Sequence, residues 1–140
     1  MLYAMLCYNS EEIVGSWSKA EDDAMMARLG AIRERLTREG KLGPVARLMD
    51  TTAAVTLRKA GRGRRLEPTD EPAIITDGPF AETKEQLLGF YVLDCANLEE
   101  ALSIARELGH ENPGGAFEIR PLRLFFPGAA HPGEPGRIAP

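Results

Sequence analysis

Residues 2–8 and 87–95 are apolar on both sides of an extended backbone, and nothing else constrains the fold as tightly. Side chains along a strand alternate between its two faces. In the first stretch Leu2, Ala4, Leu6 and Tyr8 share one face, and Tyr3, Met5 and Cys7 the other. In the second, Leu88, Phe90 and Val92 alternate with Leu87, Tyr91 and Leu93. A strand apolar on both faces is covered on both. Helices can cover one face of a single sheet. A second subunit is the simplest cover for the other, because an exposed patch of this kind is an aggregation liability.

Two helices are written between the strands. Ser18-Lys19-Ala20-Glu21 is a capping box that opens a helix over 19–39. Met25, Leu29, Ile32 and Leu36 recur at helical spacing and form its buried stripe. Glu21, Asp22 and Asp23 near the start and Arg35 and Arg38 near the end complement the helix dipole. Asn97 caps a second helix over 97–108, with a stripe of Leu98, Ala101, Leu102, Ala105 and Leu108. Gly40 and Gly109 stand where the two helices should end.

The remaining strands are 45–49, 53–59, 73–76 and 116–124. Between the second and third of these lies the basic run Arg58-Lys59-Ala60-Gly61-Arg62-Gly63-Arg64-Arg65. It reads as the solvated tip of a β-hairpin. No aromatic residue is interleaved for base stacking, and the chain's net charge of −4 disfavours nucleic acid and anionic membranes as partners. No apolar run approaches the ~20 residues of a membrane helix. No basic region precedes the apolar N-terminus as in a signal peptide. Two cysteines inside apolar runs suit a reducing cytoplasm. With no CxxC and both histidines, His110 and His131, beside Gly or Pro, no metal site or cofactor is expected.

Residues 77–86, DGPFAETKEQ, concentrate turn chemistry and charge. Asp77-Gly78 marks a turn, Pro79 stiffens it, and Phe80 is expected to anchor the loop in apolar packing. Asp77, Glu82 and Glu85, with Lys84, make it the one carboxylate-dense loop. On the last strand Glu118 and Arg120 share a face, so that face is either solvated or lines a polar cleft. An arginine in mid-strand is costly to bury unpaired. Asp77 and Arg120 are therefore expected at one cleft, with Glu82 and Glu118 nearby.

The run DGPFAETKE followed by LGFY, with FEIRPL near the C-terminus, resembles the DGPF branch of the YCII-related family over residues 1–125. That resemblance implies an α+β, ferredoxin-like βαββαβ fold, here with an extra β-hairpin. It also implies a homodimer whose sheets pack as a dimeric α/β barrel. The wider group is similar in using a His early in the chain with an Asp as an acid–base pair; this chain has no His before His110. Relatives of the branch also suggest a sigma factor as a regulatory partner. With the first and third principal strands taken as parallel neighbours, Cys7 and Cys95 should lie within about 10 Å as reduced thiols. Residues 126–140 are rich in Gly and Pro and form a tail without regular structure, expected to be pinned against the body or a neighbour.

Two function classes remain open. One is a small-molecule-binding dimer in which Arg120, Glu118 and Lys84 hold a small organic ligand. The other is a lyase- or isomerase-type enzyme with Asp77 or Glu82 as base and Arg120 as electrostatic stabiliser.

Overall fold

The computed structural model describes residues 1–61 and 67–129. Its elements are β1 (Leu2–Asn9), α1 (Glu11–Gly15), α2 (Lys19–Arg38), β2 (Leu42–Arg47), β3 (Val55–Arg58), β4 (Ile74–Asp77), β5 (Gln86–Asp94), α3 (Leu98–Glu111) and β6 (Ala116–Pro121). Four strands form an antiparallel sheet in the order β2-β5-β1-β6, and β3 pairs with β4 apart from it. With α1 and the separate hairpin set aside, the chain is βαββαβ, a ferredoxin-like α+β fold. Residues 62–66 of the basic run and 130–140 of the tail lie outside the described residues.

The two long helices pack on one face of the sheet. Tyr3 lies opposite Leu93 and Met5 opposite Tyr91. These four residues join Met25, Leu29, Ile32 and Leu36 of α2 and Ala101, Ile104, Ala105 and Leu108 of α3 in one buried cluster. Met5, Leu36, Leu93 and Leu108 are sealed completely. Each such side chain contributes about 1.5–3 kcal/mol by leaving water. The α2 stripe is the one its spacing predicts. In α3, Ile104 takes the place expected of Leu98, which is 48% exposed at the first helical position.

Helix ends follow local chemistry. Ser18 Oγ accepts from Glu21 N at 3.1 Å, and Ser18 N donates to Glu21 Oε1 at 3.0 Å, closing the capping box. Such a cap is worth about 1 kcal/mol. Asn97 Oδ1 accepts from Glu100 N at 3.0 Å to start α3. That helix does not stop at Gly109; it runs to Glu111. The terminator is Pro113, which lacks an N–H and disfavours a helical residue before it.

The relative direction of the central strands corrects the sequence reading. β1 and β5 are neighbours, as expected, but antiparallel. In a strand–helix–strand unit the two strands run parallel, and the strand inserted between them runs against both. Cys7 lies opposite Gly89, whereas Cys95 N bonds Met1 O at the other end of the sheet. The two thiols are therefore separated by roughly 20 Å along the strand, at about 3.4 Å per residue. Both are free.

On the face away from the helices, cross-strand rows read Arg120–Ala4–Val92 and Glu118–Leu6–Phe90–Ala46. This is an apolar face edged by one ion pair. The hairpin adds exposed apolar surface, with Val55 and Leu57 on β3 and Ile74 and Ile75 on β4 all more than half exposed.

Candidate functional site

The loop after β4 turns at Gly78, whose φ of 97° excludes a side chain without strain. Gly78 N donates to Ala54 O at 2.8 Å, and Thr56 Oγ1 donates to Gly78 O at 2.8 Å, fastening the loop to β3. Phe80 does not anchor it in a core. The ring is 75% exposed, with the Arg58 guanidinium 5.4 Å from its centroid. A cation over an aromatic face at this distance is attractive, which explains how so large an apolar group stays in water.

Asp77, Glu82 and Lys84 are exposed, and their side chains make no hydrogen bond or ion pair with other described residues. Arg120 Nη2 is bonded to Glu118 Oε2 on its own strand. No contact among the described residues joins that pair to Asp77, Glu82 or Lys84. The geometry explains why. Asp77 ends a strand of the separate hairpin, and Arg120 lies on the edge strand of the main sheet.

The far end of the loop has a different task. Thr83 Oγ1 donates to Glu85 O at 2.5 Å and Gln86 Nε2 to Thr83 O at 2.6 Å. Gln86 Oε1 then accepts from Glu11 N at 2.9 Å, the first residue of α1. The Glu11 carboxylate accepts from Thr51 N and Thr51 Oγ1, both at 2.7 Å. Glu11 is thus latched on one side to the loop and on the other to the turn at Thr51–Ala53.

What α1 is latched over is a cavity of about 110 Å³ between α2 and the sheet. One water needs about 10–15 Å³ on this measure, so the space suits a small organic molecule. Val14 and Trp17 close one end. Met25, Met26 and Leu29 come from α2, and Phe117 from β6. Gly89 lines the floor, and a Cβ there would collide with the Ala46 carbonyl across the β2–β5 pair. The polar lining consists of Arg33, Arg47, Cys7, Asn9, Asn112 and the two tyrosines, Tyr8 and Tyr91. No carboxylate and no histidine is among the described residues that line it.

The two cations differ. Arg47 makes a two-point ion pair with Asp22, with Nη2–Oδ1 at 2.9 Å and Nη1–Oδ2 at 3.2 Å. Arg33 is half-buried and has no carboxylate partner among the described residues. Burial pushes the Tyr91 hydroxyl up, while the Arg33 guanidinium bonded to it pulls the other way. The Cys7 thiol is pushed up to about 11 by burial, so it lines the cavity as a neutral group. Among the described residues no cluster of His, Cys, Asp or Glu is placed to hold a metal ion.

None of the site residues expected from the sequence, Asp77, Glu82, Lys84, Glu118 or Arg120, is among the described residues that line this cavity. Arg33 lies one position beyond Ile32 of the α2 stripe, and no local pattern marks it. Trp17 carried the one available signal: a tryptophan, the sole one in the chain, just ahead of a helix cap. An antiparallel ferredoxin-like sheet with a pocket under its helical layer defines the class of domain. The chain matches the model of the YCII-related domain over residues 1–125, and it belongs to that family. It is also 55% identical over 130 residues to an uncharacterized protein of Rhizobium meliloti (strain 1021), covering 91% of this chain and 97% of that one.

Proposed function

We propose that this YCII-related protein is a small-molecule-binding module that works as a homodimer. The observation that carries the binding reading is the cavity itself. It is an apolar space with a few convergent polar groups, the usual make-up of a ligand site. The dimer is supported by the apolar row Ala4, Leu6, Phe90 and Val92 on the face the helices leave open, and by the exposed apolar hairpin. The free thiols fit a reducing cytoplasm, and no helix among the described residues is long and apolar enough to cross a membrane.

The lyase or isomerase alternative would use Asp77 or Glu82, but neither lines the cavity, nor do Lys84, Glu118 or Arg120. A sigma-factor partner has no residue here to carry it. The experiment is a thermal-shift screen of purified protein against a metabolite library, paired with native mass spectrometry. Stabilisation by a compound that also changes Trp17 emission supports the reading. A library that leaves both melting and emission unchanged, with no retained ligand mass, removes it.

A further inference from the structure

We infer that the cavity under α1 takes a carboxylate with a compact apolar body, the carboxylate being held by Arg33 and Tyr91. This rests on the reading of the cavity as a ligand site and names the chemistry of its occupant.

The charge inventory of the wall comes first. Among the described residues, two guanidinium groups and no carboxylate face this space. Arg47 is neutralised by Asp22. The other arginines that tie the helical layer together are also matched, Arg35 to Glu107 at 2.6 Å and Arg28 to Glu111 at 3.3 Å. Among the described residues Arg33 alone faces the cavity with its charge unanswered. A guanidinium has five donors, and the Tyr91 hydroxyl can occupy only part of that capacity. Leaving such a group half out of water without an anion is unfavourable. A planar carboxylate matches its fork with two parallel hydrogen bonds.

Charge stoichiometry narrows the ligand further. One free guanidinium balances one negative charge. A phosphate monoester dianion would bring a second charge into a wall made largely of Trp17, Met25, Met26, Leu29 and Phe117, where an unbalanced charge is strongly disfavoured. The apolar wall instead asks for a hydrocarbon or aromatic body. The flexible Met25 and Met26 can adjust around its shape.

Trp17 supplies the assay, because it is the chain's sole tryptophan and it lines the cavity. The probes are 3-phenylpropionate, its uncharged amide 3-phenylpropionamide, and phenyl phosphate, titrated by Trp17 fluorescence. The acid is expected to bind at least about tenfold more tightly than the amide, as a charge-assisted hydrogen-bond pair implies. Arg33→Gln should erase that preference, Arg33→Lys should keep part of it, and Arg38→Gln, on the exposed end of α2, should leave it intact. If Arg33→Gln does not fold, the acid-to-amide ratio of the wild-type protein still decides. An amide that binds as tightly as the acid overturns the carboxylate inference while the site stands. Tighter binding of phenyl phosphate overturns it too. If neither acid nor amide changes Trp17 emission up to about 10 mM, weaker than any affinity worth calling a site, both the inference and the site reading fall.

Discussion

Helix α1 buries none of its five residues, so polar contacts are what hold it over the cavity. Its hold on the turn at Thr51 is the Glu11 carboxylate, which accepts two hydrogen bonds at 2.7 Å. Glu11→Ala removes both acceptors and leaves the Thr51 N–H and hydroxyl to water. A hydrogen bond to a charged group is worth about 1.5–3 kcal/mol net. Water reaches these half-buried Thr51 groups once the carboxylate is gone, so the pair together is worth about 2 kcal/mol rather than twice the single value. The loop-side bond from Glu11 N to Gln86 Oε1 survives the substitution, because it uses the backbone. The loss therefore falls on local opening of α1 rather than on global unfolding.

About 2 kcal/mol corresponds to roughly a thirtyfold rise in the open population. Native-state hydrogen exchange reads it directly. The Val14, Ser16 and Trp17 amides, which bond within α1 and its C-terminal turn, should lose about thirtyfold in protection. The β5 amides should keep theirs. Trp17 emission should shift to the red as its ring meets water. Equal loss of protection in α1 and β5 would mean that the latch belongs to the global fold. Unchanged protection in α1 would mean that its stability comes from Trp17 packing, and the reasoning from the carboxylate would be refuted.

The bond from Arg35 holds the Glu107 carboxyl below its ordinary value of 4.5. A depressed carboxyl stabilises the fold above its unfolded value and loses that contribution as pH falls through the folded one. The melting-temperature penalty of Glu107→Gln should thus be present at neutral pH and shrink below 4.5; a penalty constant across that range refutes the assignment. For the homodimer, Arg120→Ala removes the partner of Glu118 on the open sheet face; because that pair is exposed, association should weaken by about 1 kcal/mol, roughly fivefold in dissociation constant. Glu118→Leu with Arg120→Leu should restore association. Sedimentation velocity that finds a monomer in all three proteins removes this interface.

The scaffold was legible because its signals are local. Ser18 with Glu21 and Asn97 with Glu100 fix helix starts within four residues of chain, and the α2 stripe needs only its own period. The two-sided strands 2–8 and 87–95 were legible for the same reason. The site was not, because it is assembled across the sheet and helices. Cys7, Arg33, Gly89 and Phe117 meet only once four elements have packed. Arg120 misled because the burial assumed for it does not occur. A guanidinium needs a partner only where it is buried, whereas the Arg120 side chain is 69% exposed, and Glu118, two positions along the same face, pairs with it without the hairpin. Phe80 misled in the same way, since its cover is one guanidinium rather than a core. The α3 overrun at Gly109 shows a propensity outvoted: glycine costs about 1 kcal/mol in a helix, and the stop waited for Pro113.

The carboxylate-dense loop and the cavity are linked by a single physical chain. Asp77 to Gln86 has the most distinctive local sequence, yet its contacts face the backbone and α1 rather than a ligand. Gly78 fixes its entry to β3, and Thr83 and Gln86 fix its exit to Glu11. Such contacts tolerate little change, since each depends on one donor meeting one acceptor at a set distance. The cavity wall is under a different constraint. Trp17, Met26, Arg33 and Phe117 are half-buried and lie beside the sealed core rather than in it. If the cavity is a ligand site as proposed, substitution there should alter ligand complementarity before it alters the fold. On the proposed ligand-site reading, a frame held by backbone-directed bonds beside a half-buried wall would let one scaffold serve different small molecules. On the proposed reading of the cavity as a ligand site, the loop sequence marks the frame and the residue facing Tyr91 sets the charge of what binds.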